Sequence, residues 1–331
     1  MIDQADQVSQ FLAHASIELP IICGPMYPCS NPELVAAVSE AGGLGVVQPV
    51  SLTFVHGYDF REGLRLIKRL ANDKPIGMNA LIEQSSQRYK EKMQQWIDIA
   101  LEEGVRFFIT SLGKPDWVVE KVHAVGGVVY HDVTETKWAE KGLAAGVDGL
   151  IAVNNQAGGH AGALSPQQLF ADLQGFGVPV ICAGGVSHPS GFAEALNQGY
   201  AGVQMGTRFI ASDECKVSED YKQAIVDASA EDIVLSLKLT GVPVSVINTD
   251  HVKKTGTHAG PLARWLLKGQ KTKHLMRMLY TLSSLWRLKN ASQANGDRSG
   301  YLQAGKSVQG IQQVESVSQI MSEFAKSLDA E

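Results

Sequence analysis

Eight short apolar runs, each followed by a stretch with helical spacing, dominate the chain between Pro20 and Met205. They are Pro20-Ile21-Ile22-Cys23, Leu44-Gly45-Val46-Val47, Pro75-Ile76-Gly77-Met78-Asn79, Val105-Arg106-Phe107-Phe108-Ile109, Val128-Val129-Tyr130-His131, Leu150-Ile151-Ala152-Val153, Pro179-Val180-Ile181-Cys182-Ala183 and Gly202-Val203-Gln204-Met205. None alternates strictly between polar and apolar, as expected of strands covered by helices on a parallel sheet. The intervening segments carry helix signals. Asn31-Pro32 opens one helix, and Met93, Trp96, Ile97, Ala100 and Leu101 recur on one face of another. Ser165-Pro166-Gln167-Gln168 has the form of a capping box. Such alternation predicts an α/β fold. Eight units favour a closed (β/α)8 TIM barrel, with an open doubly wound sheet as the alternative, because spacing does not show closure.

After Cys215 the rhythm changes. Residues 216–297 are expected to be mainly helical, with an irregular stretch at Thr240-Gly241-Val242-Pro243, and residues 310–331 to form a last helix returning to the barrel. The expected organisation is a barrel from 1–215 and 298–331 with a smaller, mainly helical cap domain from 216–297. Within the cap, 251–296 holds no acidic residue but has Lys253, Lys254, Arg264, Lys268, Lys271, Lys273, Arg277, Arg287 and Lys289. That is either a solvated cap face or a docking surface for an anionic substrate, cofactor or carrier. Trp265 and Trp286 are expected in the cap core.

Bulk properties exclude several classes. A formal charge of -5 gives no overall nucleic-acid signature, and no apolar run approaches the roughly 20 residues of a spanning helix. The N-terminus lacks the regions of a signal peptide. The four cysteines show no CxxC or metal spacing, which suits a reducing, cytoplasmic setting and no metal, with Cys23 and Cys182 in the core. A monomer or homodimer is expected.

In a βα barrel the chemistry sits at the C-terminal strand ends. Here those ends read Gly24-Pro25-Met26, Asn79, Gly158-Gly159-His160, Gly184-Gly185 and Gly206-Thr207. Glycines let backbone approach a flat ligand, and the loops after strands seven and eight can aim N–H groups and the Thr207 hydroxyl at a phosphate. His160 can exchange a proton near neutral pH. The residues thus point to a phosphate-bearing ligand under a histidine without identifying the ligand. His56, His123, His188, His251 and His258 show no partner pattern and are expected at the surface or in loops, and Asp148 is expected to be structural at the opposite end. Tyr301 and Gln303 either line a substrate pocket or pack. No Gly-x-Ser-x-Gly elbow follows any strand.

Gly24-Pro25-Met26, Glu40-Ala41-Gly42-Gly43-Leu44-Gly45, Ala157-Gly158-Gly159-His160, Ala183-Gly184-Gly185, Met205-Gly206-Thr207-Arg208-Phe209 and Ala304-Gly305 resemble the nitronate monooxygenase family. The related flavin-dependent enoyl-acyl-carrier-protein reductases share most of these motifs. The resemblance implies FMN at the barrel mouth. Gly24 and Met26 would lie beside the isoalloxazine, and Asn79 would bond to it. Gly184, Gly185, Gly206 and Thr207 would hold the phosphate, while His131, Gly158, Gly159, Ala183 and Gln204 complete the cofactor set. His160 would be the active-site histidine, serving as base toward a nitroalkane or steadying the nitronate. The implied reaction oxidises an alkyl nitronate with O2 to a carbonyl compound and nitrite. The alternative is a reductase that takes hydride from NAD(P)H and acts on enoyl thioesters or quinones; a further rival is a non-catalytic binder of a phosphate ligand. Three positions depart from the family. Pro25 replaces a glycine, and Lys306 follows Ala304-Gly305 where glutamine is common. Either His131 or Asp132 stands where a basic residue is common, and Asp132 there would oppose negative charge on reduced flavin.

Overall fold

A computed structural model describes residues 4–82, 86–239, 242–258, 288–290, 292 and 300–328. The helix α1 (Gln4–Ala15) precedes β1 (Ile21–Cys23). Then follow α2 (Pro32–Glu40), β2 (Leu44–Val47), α3 (Phe60–Leu70), β3 (Ile76–Leu81), α4 (Gln87–Glu102), β4 (Phe107–Ser111), α5 (Asp116–His123) and β5 (Val128–Val133). The second half continues with α6 (Thr136–Ala144), β6 (Gly149–Val153), α7 (Pro166–Leu173), β7 (Val180–Ala183), α8 (Pro189–Gln198) and β8 (Gly202–Met205). All eight strands pair in parallel, and β1 pairs with both β2 and β8, so the sheet closes into a TIM barrel. Strand β3 runs on to Leu81 and β5 to Val133. Asn79 and His131 therefore lie inside strands rather than at their ends.

The lumen is a packed core. Ile22, Leu44, Val46, Phe107, Ile109, Tyr130, Ile151 and Ile181 fill it, and Phe11 from α1 plugs its N-terminal end. The Phe107 and Tyr130 rings lie 4.8 Å apart. Gly149 has no side chain because a Cβ there would enter the Tyr130 ring. Outside, Gly45 lets α2 approach β2 so closely that a Cβ would strike the Val35 carbonyl. At the start of α7 the Ser165–Gln168 capping box forms in both directions. Asn31 does not cap α2 with its side chain. It donates instead to Glu33 and to the Glu214 carbonyl, and accepts from the Lys216 backbone, tying the helix to the segment after β8. The last helix, α12 (Val317–Leu328), packs on α2 and α8, with Phe324 against Phe192.

After β8 come the short α9 (Thr207–Ile210) and α10 (Glu219–Asp227). Next is an antiparallel pair, β9 (Ile233–Ser236) and β10 (Val244–Ile247), and then α11 (Asp250–Thr255). The expectation of helix is corrected at the two strands. Both are runs of branched apolar residues, and β10 alternates Val244-Ser245-Val246, a period-two pattern that pairs across the strands. Leu239, Val244, Val246, Val252, Leu288 and Tyr301 form a small core of their own. No separate cap domain is evident among the described residues. The Ser245 N–H donates to Gly159 (2.8 Å) and the Ile247 N–H to Leu302 (2.9 Å), so β10 is stitched to the barrel mouth. Lys253 and Lys254 are exposed on α11. Lys289 donates to the Phe54 carbonyl. Arg264, Trp265, Lys268, Lys271, Lys273, Arg277, Trp286 and Arg287 lie outside the described residues.

Candidate active site

Period-two alternation decides which strand residues enter the barrel. Ile22 and Ile109 point inward, so Gln204, paired with Ile22, and Asn79, paired with Ile109, do as well. Asp132 stands two residues beyond inward Tyr130 and pairs with Ile151, which places it on the same inner face. Each of these three side chains has one buried oxygen with no hydrogen-bond partner: Asn79 Oδ1, Asp132 Oδ1 and Gln204 Oε1. Leaving one such group unsatisfied costs about 1–3 kcal/mol. Three on one inner surface mark a place where a ligand supplies donors.

His131 points the other way, which corrects its placement in the cofactor set. It is buried on the outer face of β5, with Nδ1 2.8 Å from the Thr110 hydroxyl. Gly142 of α6 makes room for its ring, since a Cβ there would come 3.1 Å from His131 Cδ2. Burial pushes its pKa down to about 4, so the ring is neutral. One residue of register exchanges a histidine for an acid at the mouth. Asp132 is half-buried as a residue, yet its environment is dry enough to push the carboxyl up to about 7.

The loops above the strands form one packed unit. Asn154, at the end of β6, donates to the Gly184 carbonyl (3.0 Å) and accepts from the Gln156 N–H (2.8 Å). Gly184 holds φ +120°, and a Cβ there would lie 2.5 Å from Ala157 N. Gly185 holds φ +89° with Gln156 beside it. The Thr207 hydroxyl accepts from the Gly305 N–H (2.9 Å), which leaves its own proton to donate to a phosphate oxygen. Lys306 N–H donates to Gln156, and a Cβ on Gly158 would come 3.0 Å from Gly305 N. Four glycine-bearing segments, distant in sequence, thus meet at one lip.

On the opposite side of β8, Gly24 leaves space for Gln204, whose Cγ would lie 3.0 Å from a Cβ at that position. Met26 reaches over the β8 loop, its Sδ 3.1 Å from where a Gly206 Cβ would stand. Ala183 ends β7 on the inner face, buried. Gly159 adopts φ +67° with open space around it. His160 follows it at the lip. Its surface is exposed, but protein around it lowers its pKa below the ordinary value through desolvation, which favours the neutral imidazole.

Tyr301 packs in the small cap core, with its hydroxyl 3.2 Å from Thr255 and its ring edge-on to His251. Of the two roles open to it, lining a pocket or packing, these contacts are packing. Gln303 is half-buried and bridges to Val246, and its carbonyl accepts from the Tyr221 hydroxyl (2.6 Å). His123 does have a partner: it sits 2.9 Å from Asp148, which also accepts from Val129 N–H at the far end of the barrel. His188 caps α8 on the loop after β7, and His56 contacts the Pro28 carbonyl on the loop after β1. Sequence reasoning missed Arg208. It is buried, pairs with Glu315 and donates to the Gln313 carbonyl (3.1 Å), fastening the C-terminal segment that carries Ala304-Gly305. An arginine directly after Thr207, inside the Met205–Phe209 motif, is the signal that could have found it. No cluster of metal-ligating side chains occurs among the described residues.

A flat, polar-edged ring with a phosphate tail suits this mouth. Orphan oxygens line its inner wall, glycine loops and a hydroxyl donor stand at one lip, and a neutral histidine stands above. These features fit a flavin. A family model for nitronate monooxygenases matches residues 9–327. An octahydroindene-carboxyl-CoA dehydrogenase of Rhodococcus jostii is 31% identical over 245 residues, spanning 74% of this chain and 66% of that protein. A probable nitronate monooxygenase of Staphylococcus saprophyticus is 27% identical, covering 79% of this chain and 84% of its own. The solved structure of FabK from Thermotoga maritima superposes with a TM-score of 0.78 at 28% identity, covering 97% of this chain and 96% of that one. With the match running across nearly the whole chain and the glycine loops and histidine gathered at one barrel mouth, this chain belongs to the nitronate monooxygenase family of flavin-dependent oxidoreductases.

Proposed function

We infer that this chain is an FMN-dependent oxidoreductase that oxidises alkyl nitronates with O2 to a carbonyl compound and nitrite. The observation that supports this best is His160, a histidine biased toward the neutral form at the lip of a mouth lined with unsatisfied oxygens. Gly184, Gly185, Gly206 and Thr207 would hold the FMN phosphate. Gly24, Met26, Gly158, Gly159 and Ala183 would lie against the cofactor, and Asn79 and Gln204 would bond to it. When bound, FMN supplies the electron transfer between substrate and oxygen. His160 takes the α-proton of a neutral nitroalkane at a ring nitrogen and, once protonated, holds the charge of the nitronate. Its exposed edge returns the proton to solvent. The segment 216–297 would border the substrate side of the mouth, with Gln303 beside β10.

A second reading has a specific observation behind it. The 31% identical relative is named for a CoA ester, and the basic residues of 251–296 suit an anionic carrier. On that reading NAD(P)H reduces the flavin, and the substrate is an enoyl thioester or quinone. Anaerobic mixing of the holoprotein with a nitronate, and separately with NAD(P)H, decides between them. Flavin bleaching by the nitronate alone supports the first reading; bleaching by NAD(P)H alone overturns it in favour of the second.

A further inference from the structure

We propose that Asp132 is a positioning residue for the polar edge of the bound flavin, sharing one proton with it so that reduction takes up two protons for every two electrons. This assignment rests on the FMN reading above.

In the closed ring of eight strands, β3 and β4 stand opposite β7 and β8, and β5 is next to β4. A ligand held by its phosphate on the loops after β7 and β8, and lying across the mouth, brings its far end toward β3–β5. That side carries two of the three orphan oxygens, Asn79 Oδ1 and Asp132 Oδ1. The polar edge of an isoalloxazine offers several acceptors and a single N–H donor. An ionised carboxyl can only accept from that donor, whereas a protonated carboxyl can also donate to the acceptors.

The surroundings of Asp132 bring no compensating cation among the described residues. Ile151 on β6 stands opposite it in register, Ser111 on β4 follows Thr110, the partner of His131, and His131 is turned outward and neutral. Among the described residues, His160 stands at the lip, and Tyr27, Tyr301 and His251 lie in or against the small core beside β10. Two-electron reduction puts one proton on the central ring and leaves a negative charge on the polar edge unless a second proton arrives. Beside a carboxylate that anion is disfavoured by like-charge repulsion. One proton therefore stays on the carboxyl–edge pair. The balance is oxidised flavin plus carboxylate plus two electrons and two protons, giving the reduced ring with one extra proton held between it and Asp132. The electrons come from the substrate or, in a titration, from dithionite.

The test is the pH dependence of the midpoint potential of the FMN holoprotein between about pH 7.5 and 9. Wild type should take up two protons per two electrons across this range. Asp132→Asn, which keeps a hydrogen-bonding side chain but cannot hold the proton, should fall to one. Sulfite affinity of the oxidised flavin gives a second readout, expected to rise about tenfold in Asp132→Asn as the negative charge is removed. One proton per two electrons in wild type overturns the proposal without any variant. Equal proton counts and sulfite affinities in the two proteins overturn it as well. Failure of wild type to bind FMN at all overturns instead the flavin reading on which it stands.

Discussion

His160 is the residue whose replacement separates two roles. His160→Asn keeps similar size but cannot act as a base. With a neutral nitroalkane the rate should fall by about 10²–10⁴-fold, and with a preformed nitronate by much less. Steady-state rates on the two substrates, with FMN retention checked by absorbance, make the comparison; near-wild-type rates on both would remove His160 from the chemistry. Because its pKa is lowered, wild type should keep the base form at pH 6.5. The acid limb of kcat/KM should therefore lie below that pH. Asp132 makes a prediction without any cofactor. Its native carboxyl holds a proton from about pH 4 to about 7 that the unfolded chain, with a value of 3.8, has released. Native binds more protons than unfolded in that window, so apoprotein stability falls as pH rises through it. The loss should be on the order of 2 kcal/mol, since the residue is only half-buried. Denaturant melts of the apoprotein at pH 5 and pH 8 check it, and Asp132→Asn should flatten the difference.

At the scale of elements, the glycine loops differ in what they tolerate. Gly184→Ala forces a Cβ against backbone at Ala157 N and holds a side chain at φ +120°, so it should expel flavin from a folded barrel. Gly159→Ala meets open space at φ +67° and should cost only about 1–2 kcal/mol of left-handed strain with flavin retained. Flavin content after gel filtration distinguishes them. Arg208 links α9 to the segment at Gln313 and Glu315. Arg208→Ala strands a carboxylate against protein and should cost about 3 kcal/mol, lowering Tm and loosening Ala304-Gly305 from Thr207. Arg208→Lys should recover only part of this, because an ammonium lacks the guanidinium's fork of donors.

The whole molecule is a barrel whose glycine loops and orphan oxygens are gathered at one end, where β10 is hydrogen-bonded to Gly159. No described helix is long and apolar enough to cross a membrane. If the basic run 251–296 attracts an anionic carrier, KM for a CoA thioester should rise steeply between low and physiological salt, because screening acts over about 8–10 Å. KM for a small neutral nitroalkane should stay flat in the same titration. Salt independence for both would leave the run a solvated face. The eight strands, their order and most helix starts were legible in the sequence, because apolar period and capping residues are local properties. So were the glycine and histidine positions, since in a barrel the strand ends are by construction neighbours. Which of His131 and Asp132 enters the lumen was not legible: a one-residue shift of register reverses the answer, and only pairing with Ile151 fixes that register. Nor were the docking of Gly305 on Thr207 or the Arg208–Glu315 link, each of which joins segments that touch only after the barrel has closed; the local β9–β10 pair, by contrast, carries its period-two signal in the sequence.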